Sequence, residues 1–316
     1  MSSLKVNPIS KSNPDTGLGV KPAQVGGRFI NKDGTFNLHK RGWPFFTRVS
    51  PYPYLLDLSW TRFLGLMLLF YFLVNLLFTS LYLAIGPDQL QGLQSTTFWG
   101  RAREIFFFST ETFTTVGYGR INPVKGGADL LASLEAFLGW LFFALVTGLL
   151  YGRFVRPKAF IAFSHNALVS PYLEGKALMF RMVPYKSRHF LTDVRTVVNL
   201  SLLVGEGEQQ EYKYYTLKLE RSRIEMFNMN WTVVHPIDVE SPLLDYTLED
   251  MLQADMEVMV QVSGFDPVFS STVMKGTSYT AQEIIMDARF APMYHESADD
   301  STTILELNKL NEYQKT

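Results

Sequence analysis

The amino-acid sequence predicts an α+β membrane protein. Two membrane-crossing helices flank a re-entrant helix and loop, and a β-sandwich domain follows outside the membrane. Three observations carry this. Residues 63–85 and 130–151 form two long apolar runs almost free of charge. Between them the helix-like stretch Ile105-Phe106-Phe107-Phe108-Ser109-Thr110-Glu111-Thr112 leads into Thr115-Val116-Gly117-Tyr118-Gly119. Beyond Lys158, short runs of β-branched and aromatic residues recur between Gly, Pro, Asn and Asp.

Composition narrows the class. The chain has 316 residues, of which 47% are hydrophobic, and a formal net charge of −1. That length allows two domains. Its 25 Phe and 15 Tyr suit membrane segments with interfacial aromatics. The near-neutral charge gives no electrostatic case for a nucleic-acid partner. The absence of cysteine excludes disulfides and thiolate metal sites. His39, His165, His189, His235 and His295 lack metal-ligand spacing. His165 and His235 are read as structural hydrogen-bonders. With no Ser-His-Asp grouping and no P-loop, neither an enzyme nor a cofactor is expected.

The elements follow in order. Residues 1–42 are polar, lack the apolar core of a signal peptide, and are expected to form a disordered N-terminal cytoplasmic segment. Within residues 43–60, an interfacial region, Pro51-Tyr52-Pro53-Tyr54-Leu55-Leu56-Asp57-Leu58-Ser59-Trp60 reads as a short amphipathic helix lying along the inner leaflet. Residues 61–157 form the transmembrane pore domain. The first apolar run, about 23 residues, extends roughly 34 Å as a helix, enough to cross a ~30 Å hydrocarbon layer. The second is interrupted only by Glu135 and small residues. Arg41, Arg48 and Arg62 precede the first span, and Arg153, Arg156 and Lys158 follow the second. The positive-inside rule therefore places both termini in the cytoplasm, beneath the inner (plasma) membrane. Arg101, Arg103, Arg120 and Lys125 in the intervening loop weaken that bias. Part of this loop re-enters the membrane, which is tolerated where protein surrounds it. Trp43, Tyr52 and Trp60 are assigned to the inner interface and Trp99 to the outer.

In residues 158–307, strands are expected at 177–182, 194–204, 212–219, 231–234 and 257–262. Short helices are expected at 248–252 and 281–285, and a last strand at 304–307. The pattern argues for an antiparallel sandwich. Residues 308–316 are read as a loose tail.

The five-residue string resembles the selectivity filter of potassium channels. Successive backbone carbonyls must point at one axis to replace the hydration shell of K⁺. An ordinary chain alternates its carbonyl directions. Glycine at every second position, Gly117 and Gly119, permits the φ > 0 geometry that turns them the same way. Thr115 can add its hydroxyl as the innermost ligand, so K⁺ is assigned to Thr115, Val116, Gly117 and Tyr118. The Val116 and Tyr118 side chains are expected to pack behind the filter. Glu111 and Thr114 are its support, Glu111 as a buried bracing carboxylate. One chain supplies one filter strand and cannot enclose a pore, so a homotetramer is expected.

In the second span, Gly139 is read as a hinge or as a close-packing glycine. Phe143 and Thr147 are pore-lining candidates. A ring of bulky side chains at Tyr151, with Leu150 second, is the candidate gate, closing by dewetting. Lys40, Arg41, Arg48, Arg153, Arg156 and Lys158 cluster near the inner interface in sequence and are candidates for binding anionic lipid, beside plain topology signalling. Glu135 is read as facing the pore helix or the outer vestibule, in a structural role before a conductive one.

Further strings resemble the prokaryotic inward-rectifier potassium channels. They are Leu56-Asp57-Leu58-Ser59-Trp60, Phe163-Ser164-His165-Asn166-Ala167, the run from Trp231-Thr232-Val233-Val234-His235-Pro236-Ile237-Asp238 to Ser241-Pro242-Leu243, and Glu283-Ile284-Ile285. The absence of an Arg-repeat helix agrees with voltage-independent gating. The resemblance implies an immunoglobulin-like cytoplasmic sandwich that extends a tetrameric pore. It also implies a gate at Tyr151, a hinge at Gly139 and regulation by anionic lipid. Two departures matter. Phe143 stands where strongly rectifying relatives carry an acidic residue, so block by Mg²⁺ or a polyamine is expected to be weak, with Glu206 and Glu220 as substitute carboxylates in the cytoplasmic ion path. Arg120 follows the filter where several relatives have Asp, and is expected to alter the outer field or pair with Glu111. The alternatives are a two-span K⁺ channel gated by a soluble ligand, whose Rossmann-like domain the β-rich tail disfavours, and a membrane-anchored binding or sensor protein with a silent pore.

Overall fold

The computed structural model describes residues 6–13, 27–42, 44, 50–187, 189–205, 210–299 and 301–316. Trp43 lies outside them. The chain divides into two units: residues 41–156, and residues 1–40 with 157–316.

In the first unit, Pro51 sits at the start of α1 (Pro51–Asp57), where its fixed φ suits a first helical turn. Leu58 and Ser59 are extended, and Ser59 is the N-cap of α2 (Trp60–Ile85). Gly86, at φ +108°, ends α2. The re-entrant helix α3 (Phe98–Phe113) begins earlier than its apolar run because the Thr97 hydroxyl caps it, accepting from the Gly100 amide. The inner helix α4 (Gly126–Val155) has 30 residues and α2 has 26. Both are apolar and long enough to cross a membrane. Phe78 and Tyr82 of α2, Ile105 and Phe108 of α3, and Ala128 of α4 form a small shared core. Leu64, Leu68, Leu69, Leu73 and Leu77 of α2 stay exposed, a continuous apolar surface suited to lipid. A two-stranded ribbon, β1 (Leu90–Gln91) with β2 (Asn122–Pro123), ties the approach to α3 to the exit from the filter.

The second unit is a sandwich of two five-stranded sheets. One contains β3 (Ile161–Phe163), β4 (Ala167–Tyr172), β5 (Gly175–Pro184), β9 (Trp231–Ile237) and β12 (Ile284–Met286). The other contains β6 (Leu191–Val204), β7 (Glu211–Thr216), β8 (Arg223–Phe227), β10 (Glu257–Asp266) and β11 (Ser271–Thr280). Among the described residues, β12 and β4 alone pair in parallel within these sheets. Along β6 the residues Val194, Thr196, Val198, Leu200, Leu202 and Val204 alternate inward, as a half-buried strand requires. The five apolar ones share one core with Leu178 and Phe180 of β5 and with Val258 and Val260 of β10. The short helix α5 (Leu248–Gln253) carries a capping box between Thr247 and Asp250.

Three segments differ from expectation. In the N-terminal segment, residues 1–5 and 14–26 lie outside the described residues, but residues 27–37 are folded onto β10 and β11. The amides of Phe29 and Ile30 donate to the buried Glu257 carboxylate at 2.7 and 2.9 Å. Ile30 packs with Tyr212, Tyr214 and Met259, and Arg28 and Lys32 pair with Glu283. A buried acid in a strand needs donors, and this segment supplies them. Residues 281–285 form one 3₁₀ turn, Ala281–Glu283, and then enter β12, because the two β-branched isoleucines pair with Ala167 and Leu168. The tail is not loose: a 3₁₀ turn Leu307–Asn311 precedes Tyr313–Lys315, which pairs with Ala288–Phe290.

Candidate functional site

The filter string follows α3 directly. Thr115, Gly117 and Gly119 adopt φ of 60°, 55° and 82°, so every second residue is left-handed. Glycine meets this readily. A β-branched threonine at positive φ is strained, and such strain persists only where the surroundings impose it. Here the end of α3 imposes it. The Thr115 amide donates to the Thr112 carbonyl at 3.0 Å, and the amides of Val116 and Gly117 both donate to the Glu111 carbonyl at 2.9 and 3.3 Å. The amides are thereby spent. Among the described residues the carbonyls of Thr115, Val116, Gly117 and Tyr118 accept no hydrogen bond, which leaves a row of oxygens available to a cation. The Gly119 carbonyl accepts from Asn122 Nδ2 at 2.9 Å and closes the row. Val116 and Tyr118 are 53% and 80% exposed. Packing behind the filter is therefore not supplied within one chain.

The support of the filter differs from the reading of Glu111. That side chain is half-buried; its contribution is the main-chain carbonyl just described. Thr114 caps α3, its hydroxyl donating to Thr110 O at 2.7 Å. The buried carboxylate is Glu135 of α4. It accepts from the Tyr82 hydroxyl of α2 at 2.9 Å and from the Ser109 hydroxyl of α3. Ser109 also lies 3.1 Å from Asn75 Oδ1, and Asn75 Nδ2 donates to Tyr71 O at 2.7 Å. One acid thus joins all three helices behind the filter. Arg120 does not meet Glu111. It lies 3.9 Å from Glu104, whose carboxylate also receives the amide of Gln94.

Gly139 sits one turn below Glu135. A Cβ there would lie 1.8 Å from the carbonyl oxygen of Phe113. α4 runs unbroken through this point, so the visible role of Gly139 is close packing against the end of α3 rather than a bend. Phe143 and Tyr151 are 72% and 69% exposed, and Thr147 between them is exposed. The three continue the same i, i+4 row that carries Glu135 and Gly139, but are exposed where those two are buried. Leu150 is half-buried, so Tyr151 is the more outward of the two gate candidates. A cavity of about 430 Å³ lies below the filter, lined by Tyr71, Phe113, Thr114, Thr115, Trp140 and Phe143 among others. Its described lining contains no carboxylate.

The basic residues do not act as one set. Arg48 lies outside the described residues. Lys40 and Lys158 belong to the β-rich unit, whereas Arg41, Arg153 and Arg156 belong to the helical one. Arg153 is directed onto main-chain carbonyls at the end of α1, and Arg156 pairs with Asp57. Arg41 and Lys158 are exposed. Glu206 lies outside the described residues; Glu220 is exposed between β7 and β8. His235 is buried, its Nδ1 2.7 Å from Lys218 O and its Nε2 2.8 Å from Ser241 Oγ, and burial holds its pKa below the usual histidine value. His165 is exposed and engages neighbours through its backbone.

Two membrane-length helices, a re-entrant helix and a carbonyl-lined loop define an ion channel, and the sequence profile described as ion channel matches residues 66–156. The profile of the inward rectifier potassium channel C-terminal domain matches residues 161–316. The chain is 34% identical over 301 residues to the inward rectifier potassium channel Kirbac3.1 of Paramagnetospirillum magnetotacticum, a match covering 93% of this chain and 98% of that protein. It is 26% identical over 284 residues to G protein-activated inward rectifier potassium channel 3 of Mus musculus, covering 83% of this chain and 72% of that one. The chain belongs to the inward rectifier potassium channel family.

Proposed function

We propose that this chain forms a homotetrameric, K⁺-selective pore that conducts passively across the cell's inner (plasma) membrane, with both termini in the cytoplasm. The observation that carries this is the alternating left-handed backbone at Thr115, Gly117 and Gly119, with the amides of Thr115, Val116 and Gly117 spent and, among the described residues, the carbonyls of Thr115 to Tyr118 unspent. Such a row replaces the water of K⁺ when copies surround one axis. The exposed faces of Val116 and Tyr118 support assembly, since four copies supply what one chain lacks. Purified protein in liposomes tests the proposal. K⁺ flux over Na⁺, blocked by Ba²⁺, is expected; absence of flux in every lipid composition favours a silent-pore binding protein instead.

The Tyr151 rings, with Leu150 behind them, gate the inner mouth, and anionic lipid held by basic residues near the inner interface, the exposed Arg41 among them, biases the gate. Tyr151→Ala is expected to raise basal flux several-fold in liposomes; unaltered flux moves the gate elsewhere. Rectification by Mg²⁺ or a polyamine is weak, because Phe143 stands where a carboxylate would hold the blocker and the described lining of the cavity beside Thr115 contains none. Phe143→Asp is expected to strengthen block by internal Mg²⁺, read as a voltage-dependent loss of outward current. An unchanged current–voltage curve in that variant would place the blocker outside the cavity.

A further inference from the structure

We propose that the exposed face of the re-entrant helix α3 holds an anionic phospholipid of the outer leaflet, with Arg103 on its phosphate and Trp99 and Phe107 against its apolar parts. This rests on the topology proposed above, which sets the start of α3 at the outer surface. The helix is two-faced. Glu104, Ile105, Phe108, Ser109 and Phe113 are buried. Trp99, Arg103 and Phe107, spaced by four, form one exposed row on the opposite side. Trp99 is 81% exposed and Phe107 54%, so the row has two large rings with nothing over them in the chain. At 1.5 Å per residue the row spans about 12 Å, and Arg103 stands roughly 8 Å along the axis from Phe98.

A guanidinium set among rings on a helix that enters the membrane is costly without a counter-charge. The other three basic residues between the spans are engaged. Arg101 Nε donates to Ser95 O at 3.1 Å, Arg120 lies 3.9 Å from Glu104, and Lys125 pairs with Asp88. Among the described residues Arg103 alone of the four has no such partner. Its sequence neighbour Glu104 is turned to the buried face, where it takes the amides of Gln94 and Ser95 at 2.9 and 3.4 Å. An anionic phospholipid answers the whole row. Its phosphate oxygens match the planar guanidinium fork. Trp99, with Phe98 edge-on at 5.4 Å, suits the headgroup level, and Phe107 offers apolar surface to an acyl chain. The row leads along α3 toward the exposed filter residues Val116 and Tyr118, the surface that neighbouring copies cover in the proposed tetramer. A lipid on the row therefore lies at a boundary between copies and stabilises the assembly.

The test reads binding rather than flux. The full chain is purified, delipidated in detergent and titrated with phosphatidylglycerol or phosphatidylcholine, and bound lipid is counted by native mass spectrometry. Arg103→Gln is expected to weaken phosphatidylglycerol binding at one site per chain about tenfold or more, the scale of one lost charge-assisted hydrogen bond. It is also expected to leave phosphatidylcholine binding unchanged and to remove the rise in melting temperature that phosphatidylglycerol gives the assembly. Arg103→Lys should fall between Arg103→Gln and the parent. Phosphatidylglycerol binding and melting that match the parent in Arg103→Gln would overturn the proposal. So would a loss of stability equal in both lipids and reproduced by Asp129→Asn, since Arg103 would then pair with the exposed Asp129 of a neighbouring copy. If Arg103→Gln does not assemble, a photoreactive phosphatidylglycerol decides on the unaltered chain: adducts within residues 98–107 support the site, and adducts confined elsewhere sink it. A filled row in a protein without flux would uphold this inference and remove the pore reading; flux with an empty row would do the reverse.

Discussion

Gly117→Ala is expected to abolish K⁺-selective flux while leaving the tetramer assembled. A Cβ at Gly117 meets nothing within 4 Å in the chain, so the effect is not steric crowding. It arises from φ, which is +55°. An L-residue in the left-handed region costs about 1–2 kcal/mol, hence roughly 4–8 kcal/mol over four strands meeting at one axis. The filter already bears strain at Thr115, with φ +60°. Further strain is relieved by turning the peptide over, which swings the Val116 carbonyl off the axis and removes one ring of ligands. Reversal potentials in mixed K⁺ and Na⁺ measure the outcome. Retained K⁺ selectivity in this variant would contradict the carbonyl-lined reading.

Glu135→Ala is the second large effect. It strips the acceptor from the buried Tyr82 hydroxyl and removes one acceptor of the Ser109 hydroxyl, which keeps Asn75 Oδ1 at 3.1 Å. Leaving the Tyr82 hydroxyl unsatisfied costs about 1–3 kcal/mol, and the vacated volume adds to this. Because Ser109 lies two residues before Glu111, whose carbonyl orients the filter amides, the loss is expected in both thermal stability of the tetramer and K⁺-over-Na⁺ selectivity. Glu135→Gln preserves shape and one carbonyl acceptor and should be milder on both measures. If Glu135→Ala melts and selects like the parent, the three-helix junction does not hold the filter.

The spans, the re-entrant helix and most strands were legible because each has a length or a period that only one element satisfies. The filter was legible because its glycine spacing answers a backbone demand. Thr115 was not: nothing local marks a threonine for positive φ, since the constraint comes from two carbonyls of the preceding helix. Gly139 was open between bend and contact because the deciding atom, the Phe113 carbonyl, lies on another helix. Asn75, Tyr82, Ser109 and Glu135 each stand as a polar residue in an apolar helix, and polar groups in such places seek one another. That signal was available for the group, though not for its pairing. Arg153 looked like its basic neighbours in sequence, and only the turn made by Leu58 and Ser59 brings carbonyls to it. The N-terminal segment carried a short cue, Phe29-Ile30, whose partner Glu257 is far along the chain.

That distance has a consequence for how the protein is made. The amide of Phe29 bonds to a residue 228 positions later, and the whole helical unit lies between them in sequence. The pore hairpin is thus an insertion within the β-rich body rather than a module placed before it. On the ribosome the leading segment emerges first and waits, unmatched, while both apolar helices are threaded into the bilayer and β10 is translated. Insertion of the hairpin therefore precedes closure of the sandwich around its own beginning, and until β10 is made the amides of Phe29 and Ile30 have no Glu257 to donate to.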